Sequence, residues 1–215
     1  MTPFVLLTIF AVAALLVANF RNSRVGIWLA KPLASTGFIA VALIAHAQAS
    51  ATGENPFYAP ALIVGLALCW LGDVLLIPEN RPGIFRAGIF AFLLGHVAYL
   101  AAFLSLGLDP AWAVITGALL CLPAVGVLRV LGPRVPSELT VAVRSYVLVI
   151  SAMLLCAAGA VGGGANPNLL LGAALFYVSD LAVARDRFLA PGFSNAAWGL
   201  PLYYAAQLLL ARTLA

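Results

Sequence analysis

The sequence predicts an all-α integral membrane bundle of about eight transmembrane helices, on three observations. The 215-residue chain is 64% hydrophobic and only 8% charged, where a soluble domain carries about 25% charged residues. Its apolar residues gather into eight stretches near the length, roughly 20 residues, that a helix needs to cross a bilayer. Its cations fall in alternate loops, as membrane topology requires. A water-soluble fold would need a polar surface that this composition cannot supply. In lipid no such cover is needed, and a helix satisfies its own backbone.

The stretches run over residues 3–20, 33–50, 57–77, 84–106, 111–131, 139–161, 168–185 and 197–214. The first has no positive region before it, and Arg21 and Arg24 follow it. A cleavable signal has the reverse order, so a retained helix is expected, with its N-terminus outside the cytoplasm. Proline and glycine punctuate the rest. Lys31-Pro32 precedes the second stretch and Asn55-Pro56 the third. Pro78 and Pro82-Gly83 frame the next loop, and Asp109-Pro110 opens the fifth stretch. Pro133 to Pro136, Gly162 to Pro167 and Pro191-Gly192 separate the last three. No linker is long enough for a second domain, so residues 1–215 read as a single transmembrane helical domain.

Arg21, Arg24 and Lys31 flank the first loop, and Arg81 and Arg86 the third. Arg129, Arg134 and Arg144 surround the fifth, and Arg185 and Arg187 the seventh. Of eleven cations, Arg212 alone falls on the other side. The positive-inside rule makes the crowded face cytoplasmic and places both termini outside. A bacterial cytoplasmic (inner) membrane is the expected location. The net charge of +4 does not imply nucleic acid, because the basic residues lie singly and form no stripe. Membrane lipid is the expected partner. Cys69, Cys121 and Cys156 each sit in an apolar stretch without ligand spacing. They read as small buried side chains, with no disulfide framework, metal or cofactor expected.

Five of the seven acids (Glu54, Glu79, Asp109, Glu138 and Asp186) lie in loops or at span ends and read as solvated charges. Asp73 and Asp180 differ, since each is surrounded by apolar sequence. An aspartate within a span costs about 2.5–3.5 kcal/mol on insertion scales and is retained when paired or functional. Asp73 lies five residues before Pro78, and Asp180 five before Arg185. The two are therefore expected at matched depth near the cytoplasmic side, facing one cavity and sharing protons. Gly65, Ala67 and Leu68 precede Asp73 at the offsets by which Gly172, Ala174 and Leu175 precede Asp180. A parallel four-plus-four repeat would leave such a trace.

Lys31 and Arg144 lie where they suit either a phosphate or a topology anchor. His96, near the middle of its stretch, suits a proton shuttle or a hydrogen-bonded packing role equally. His46 reads as interfacial. Trp70 and Tyr177 each precede an aspartate by three residues. That spacing puts ring and acid on one helix face, either as core packing or as a wall for a quaternary ammonium. The remaining polar side chains, among them Ser35, Tyr99, Tyr146, Tyr203, Tyr204 and Gln207, read by default as links between helices. No nucleophile elbow, metalloprotease motif or phosphate loop is present. The paired aspartates are the one catalytic constellation left. A transporter remains an alternative. An intramembrane aspartyl protease fits less well, because its Gly-x-Gly-Asp signature would need glycine where Trp70 stands.

Motifs along nearly the whole chain point further. Lys31-Pro32-Leu33 is followed by Leu71-Gly72-Asp73-Val74-Leu75-Leu76 and by Phe92-Leu93-Leu94-Gly95-His96-Val97-Ala98-Tyr99. Ser151-Ala152-Met153, Phe176 to Asp180 with Arg187-Phe188, and Tyr203-Tyr204-Ala205-Ala206-Gln207 complete the set. In order and spacing the chain resembles the lysoplasmalogenase (YhhN-like) family of membrane proteins. The resemblance implies hydrolysis of the vinyl ether bond of a lysophospholipid, releasing a fatty aldehyde and a glycerophospho-headgroup. It also implies that Asp73 and Asp180 are the catalytic pair. Lys31, Arg144, Trp70, Tyr177, His96, Tyr99 and Tyr204 are the candidate substrate-binding residues.

Overall fold

Eight α-helices make up the computed structural model, which describes residues 1–49, 55–78 and 81–215. They are α1 (Thr2–Phe20), α2 (Arg24–Gln48), α3 (Tyr58–Leu75), α4 (Pro82–Leu104), α5 (Pro110–Leu131), α6 (Ser137–Gly162), α7 (Asn168–Phe188) and α8 (Phe193–Arg212). Glu54 and Glu79, and Ser50 at the end of the expected second stretch, lie outside the described residues. Seven helices, α1 to α7, are long and apolar enough to span a membrane. The eighth, α8, is more polar for a reason that its packing supplies.

The boundary that departs most from expectation is the start of α2. Lys31-Pro32 is not a turn; Pro32 lies inside the helix. Proline cannot donate to the carbonyl four residues before it, but the true start is fixed well upstream. Ser23 Oγ accepts from the amide of Gly26 at 3.2 Å, an N-cap that satisfies an orphan donor. Pro123 and Pro201 likewise sit within α5 and α8. Asp109, expected as a solvated charge, caps α5 by accepting from the amides of Ala111 and Trp112 at 2.8 and 3.0 Å.

The helices pack as antiparallel pairs, α1 on α2, α3 on α4, α5 on α6 and α7 on α8. Further contacts join α2 to α3 and α6 to α7, and then α4 to α6 and α8 to α2. Renaming α1–α4 as α5–α8 turns each of these contacts into another on the same list of pairs, which is the two-fold relation of a parallel repeat. The interval from Asp73 to Asp180 also separates Gly65 from Gly172, Gly72 from Ser179, and His96 from Tyr203. Symmetry is broken around α8, which packs on α1 and α3, while α4 makes no comparable packing on α5 or α7.

This places α8 against α1, α2, α3 and α7. Asn195, Tyr203, Tyr204 and Gln207 on it are buried, so its polar side chains meet protein rather than lipid. The outlier in the other sense is α5, which packs on α6 and buries only Leu131. Cys121 lies on it and is exposed, unlike buried Cys69 and Cys156. Most side chains of α5 are thus left at the surface of the bundle, which suits hydrocarbon because an apolar surface there needs no cover.

Close helix crossings depend on glycine. At the α3–α4 crossing, a Cβ on Gly95 would fall 2.9 Å from Cys69 Sγ and 3.2 Å from the Gly65 carbonyl oxygen. Gly95→Val should therefore lower unfolding free energy in detergent by about 1–3 kcal/mol, the usual cost of overpacking. Gly126→Ala on α5, with nothing within 4 Å of its Cβ, should not lower the denaturation midpoint.

Candidate active site

All eight helices line one cavity of about 840 Å³, and all do so from the same end. That end carries the cations. Arg24, Arg81 and Arg187 border the cavity there, and Lys31, Asp73, Asp180, Tyr146, Tyr177 and Tyr203 line it more deeply. The size is that of a small-molecule pocket, about 300–1,000 Å³. The Arg187 guanidinium carbon lies 3.7 Å from the centroid of the Phe85 ring. This cation–π contact ties α7 to α4 at the mouth.

Asp73 is 2% exposed, and donors converge on it. Ser35 Oγ and the Tyr203 hydroxyl each lie 2.7 Å from its Oδ2. Lys31 Nζ lies 3.4 Å from its Oδ1. Behind them the bonds continue. Gln207 Nε2 donates to the Tyr203 hydroxyl at 3.1 Å, and the Tyr99 hydroxyl donates to Gln207 Oε1 at 2.7 Å. The Tyr204 hydroxyl lies 3.1 Å from Ser35 Oγ. Side chains from α2, α4 and α8 thus form one chain of bonds ending on a carboxylate of α3.

Asp180 has a sparser setting. The Tyr146 hydroxyl donates to its Oδ2 at 2.8 Å. His96 Nε2 lies 3.7 Å from the same oxygen and has no hydrogen-bond partner. The other imidazole nitrogen, Nδ1, is 2.7 Å from the Phe92 carbonyl oxygen. The ring is walled by Phe176 and Tyr146, with centroids 4.5 and 5.2 Å away.

Two expectations about the pair change. No hydrogen bond joins the carboxyl groups of Asp73 and Asp180; each has its own partners, with the cavity beside both. Their helix-end distances also differ. Asp73 lies two residues before the end of α3 and Asp180 eight before the end of α7. Two causes contribute equally: α3 stops at Leu75, three residues before Pro78, and α7 continues three residues past Arg185 to Phe188.

Residues 26–214 match the YhhN family. The chain belongs to the YhhN family. Similar relatives include lysoplasmalogenase TMEM86A of Bos taurus, 33% identical over 159 residues, and that of Homo sapiens, 31% identical over 159. In each case the match covers 71% of this chain and 64% of the relative, so the chain spans less than two-thirds of their length. No solved structure matches.

Of the residues singled out from sequence in this YhhN-family chain, Lys31, Tyr177 and the two aspartates line the cavity. His96, Tyr99 and Tyr204 are buried behind its wall, beside Asp180, Gln207 and Ser35 respectively. Trp70 and Arg144 lie elsewhere. Trp70 Nε1 donates to Thr36 Oγ1 at 3.2 Å on an exposed face. Arg144 is exposed beside a shallow groove between α5 and α6.

Sequence reasoning undervalued Ser35, Tyr146, Tyr203 and Gln207, reading them as helix glue, and the mouth arginines, reading them as topology anchors. Asp186 was read as a solvated charge. It lines the cavity and accepts from Gly192 N and Asn195 Nδ2 at 2.9 and 2.8 Å, holding the α7–α8 turn. One signal was in the sequence: His96 and Tyr203 are spaced as the two aspartates are.

Removing one partner of a buried ion pair leaves the other uncompensated and costs about 3–5 kcal/mol. Lys31→Met should therefore destabilise the protein by roughly that amount in a detergent unfolding titration. Lys31→Met with Asp73→Asn should recover most of the loss. A double variant no more stable than Lys31→Met would show that the two charges do not compensate each other.

Proposed function

We propose that this protein is a membrane hydrolase that cleaves the vinyl ether bond of lysoplasmalogens, using Asp73 and Asp180 for acid–base catalysis. The observation that carries the reading is one cavity lined by two aspartates in different settings, beneath a basic mouth. Membership of the YhhN family and the name of the TMEM86A relatives supply the substrate class. We take the basic end as cytoplasmic, on the positive-inside rule. Both termini are then on the opposite side. A bacterial inner membrane is the location that goes with this reading.

The chemistry needs no nucleophilic serine. A proton is added to the β-carbon of the alkenyl ether, and the π electrons leave an oxocarbenium ion at the α-carbon. Water adds to that carbon and gives up a proton to a carboxylate. The hemiacetal passes its hydroxyl proton to the departing glycerol oxygen and collapses to an aldehyde and an alcohol. One carboxyl supplies a proton, and one carboxylate steadies the cation and takes a proton from water. Glycosidases divide two carboxyls in the same way at an oxocarbenium-like transition state.

The phosphate sits at the mouth with Arg24, Arg81 and Arg187, and the alkenyl chain enters the bundle. Lys31 is committed to Asp73 and stands at the border between headgroup and reacting bond.

Asp73→Asn and Asp180→Asn should each lower aldehyde release from a lysoplasmalogen by about 100-fold or more, the usual range for general acid–base groups. Near-wild-type turnover in either folded variant would end the proposal, and uptake of intact lipid into liposomes without aldehyde would favour a carrier. Arg187→Ala should raise KM by about 10- to 100-fold with kcat little changed, as expected for a lost charge-assisted contact made equally in ground and transition states.

A further inference from the structure

We infer that the two aspartates hold different protonation states at rest: Asp180 carries the proton, Asp73 is the carboxylate, and His96 enforces the difference. For the use made of the proton, this rests on the vinyl ether reading; for its location, it rests on hydrogen-bond geometry alone.

A hydrogen-bond inventory fixes Asp73. The Lys31 ammonium, 3.4 Å from Oδ1, can only donate, and the Tyr203 hydroxyl donates to Oδ2 at 2.7 Å; the Ser35 hydroxyl, 2.7 Å from Oδ2, shares its one hydrogen between that oxygen and the Lys31 carbonyl at 3.0 Å. Tyr203 cannot reverse its role, because Gln207 Nε2 already donates to that hydroxyl at 3.1 Å. Gln207 is in turn oriented by the Tyr99 hydroxyl, which has its amide oxygen at 2.7 Å. An ionised carboxylate accepts and does not donate, and an ammonium with a committed tyrosine hydroxyl suits that form.

The inventory at Asp180 gives the opposite result. The carbonyl of Phe92 can only accept, so His96 Nδ1, 2.7 Å away, carries hydrogen. In neutral imidazole the other nitrogen is then a bare acceptor. That nitrogen, Nε2, is buried without a hydrogen-bond partner among the described residues and faces Asp180 Oδ2 at 3.7 Å. At that distance no hydrogen bond is closed, but an ionised Asp180 would set a negative oxygen against the bare lone pair, whereas a protonated one faces it with a neutral group. The rival arrangement is an imidazolium beside a carboxylate. It would place two charges among the rings of Phe176, Tyr146 and Tyr99.

Asp180 is therefore the group that protonates the alkenyl carbon, and Asp73 the group that steadies the oxocarbenium ion and takes a proton from water. After one turnover Asp180 has lost a proton and Asp73 has gained one. Transfer back across the cavity restores the pair, and no outside acid is consumed. His96 is a positioning residue. It touches Asp180 and not the cavity, and it holds the acid in its proton-bearing form.

Infrared spectroscopy of the full chain in detergent at neutral pH tests the assignment without substrate, so its outcome is separate from whether lysoplasmalogens are cleaved. The carbonyl stretch of a protonated carboxyl stands apart from carboxylate bands and shifts in heavy water. Wild-type protein should show this band. Asp180→Asn should abolish it and Asp73→Asn should keep it. Asp180→Glu and His96→Asn should each move it, which covers the case in which Asp180→Asn does not fold. Absence of the band in wild type would mean that both aspartates are ionised and would overturn the inference. So would loss in Asp73→Asn with retention in Asp180→Asn, or persistence in both.

Discussion

A carboxylate placed among apolar helices must be compensated in place, and the arrangement of half the bundle follows from how Asp73 is compensated. A side chain that is 2% exposed offers little of itself to water or lipid, and an unpaired buried charge is costly. Its positive partner comes from α2 and its hydroxyl donors from α2 and α8, so α2, α3 and α8 must converge at one depth. Tyr203 then needs Gln207, and Gln207 needs Tyr99 on α4. A polar network of this kind specifies a unique packing when complete and costs more than an apolar core when incomplete. The polarity of α8 is a consequence, since it carries three members of the network and is surrounded by helices rather than lipid.

The second aspartate shows how one framework produces two chemical environments. The two halves of the chain repeat the same helix contacts, and His96 occupies in α4 the place of Tyr203 in α8. Each aspartate meets the equivalent residue of the other half, Asp73 with Tyr203 and Asp180 with His96. A tyrosine hydroxyl at that position donates, whereas an imidazole with its Nδ1 hydrogen engaged presents an acceptor. The cation is also unequal, because Lys31 accompanies Asp73 and Tyr146 alone donates to Asp180. The scaffold sets the positions of the carboxyl groups, and the residues at equivalent places set what each can do.

Much of this was legible in the sequence because lipid imposes strong rules. Composition and span length predict the bundle, and seven helices meet the criteria for crossing a membrane. The start of α2 was misplaced because proline is a good turn signal in general but is tolerated inside a helix when the cap lies elsewhere, here on Ser23. Asp73, Asp180 and Lys31 stood out because charges in apolar sequence are rare. Tyr203, Tyr146 and Ser35 did not, because hydroxyl side chains are common in such helices and only convergence in space marks these three. Trp70 was misjudged for a geometric reason. Three residues on a helix correspond to about 60° of rotation, enough to turn a side chain from the cavity that its neighbour faces. Arg144 shows the same limit, since sequence fixes depth along a helix better than direction around it.

The cavity also has a direction, which bears on hydrolysis against transport. It opens where the arginines gather and stops at the layer formed by Ser35, Tyr204, Asp73, Tyr203, Gln207 and Tyr99. Beyond that layer α3 packs on α8, and Leu62, Leu66, Phe103 and Leu210 are fully buried. A carrier would have to break this bonded layer and separate those helices in every cycle, leaving the Asp73 charge uncompensated each time. A hydrolase has no such need. The network that makes Asp73 tolerable in the bundle is thus also the floor of the site, and its permanence suits chemistry performed on one side of a membrane.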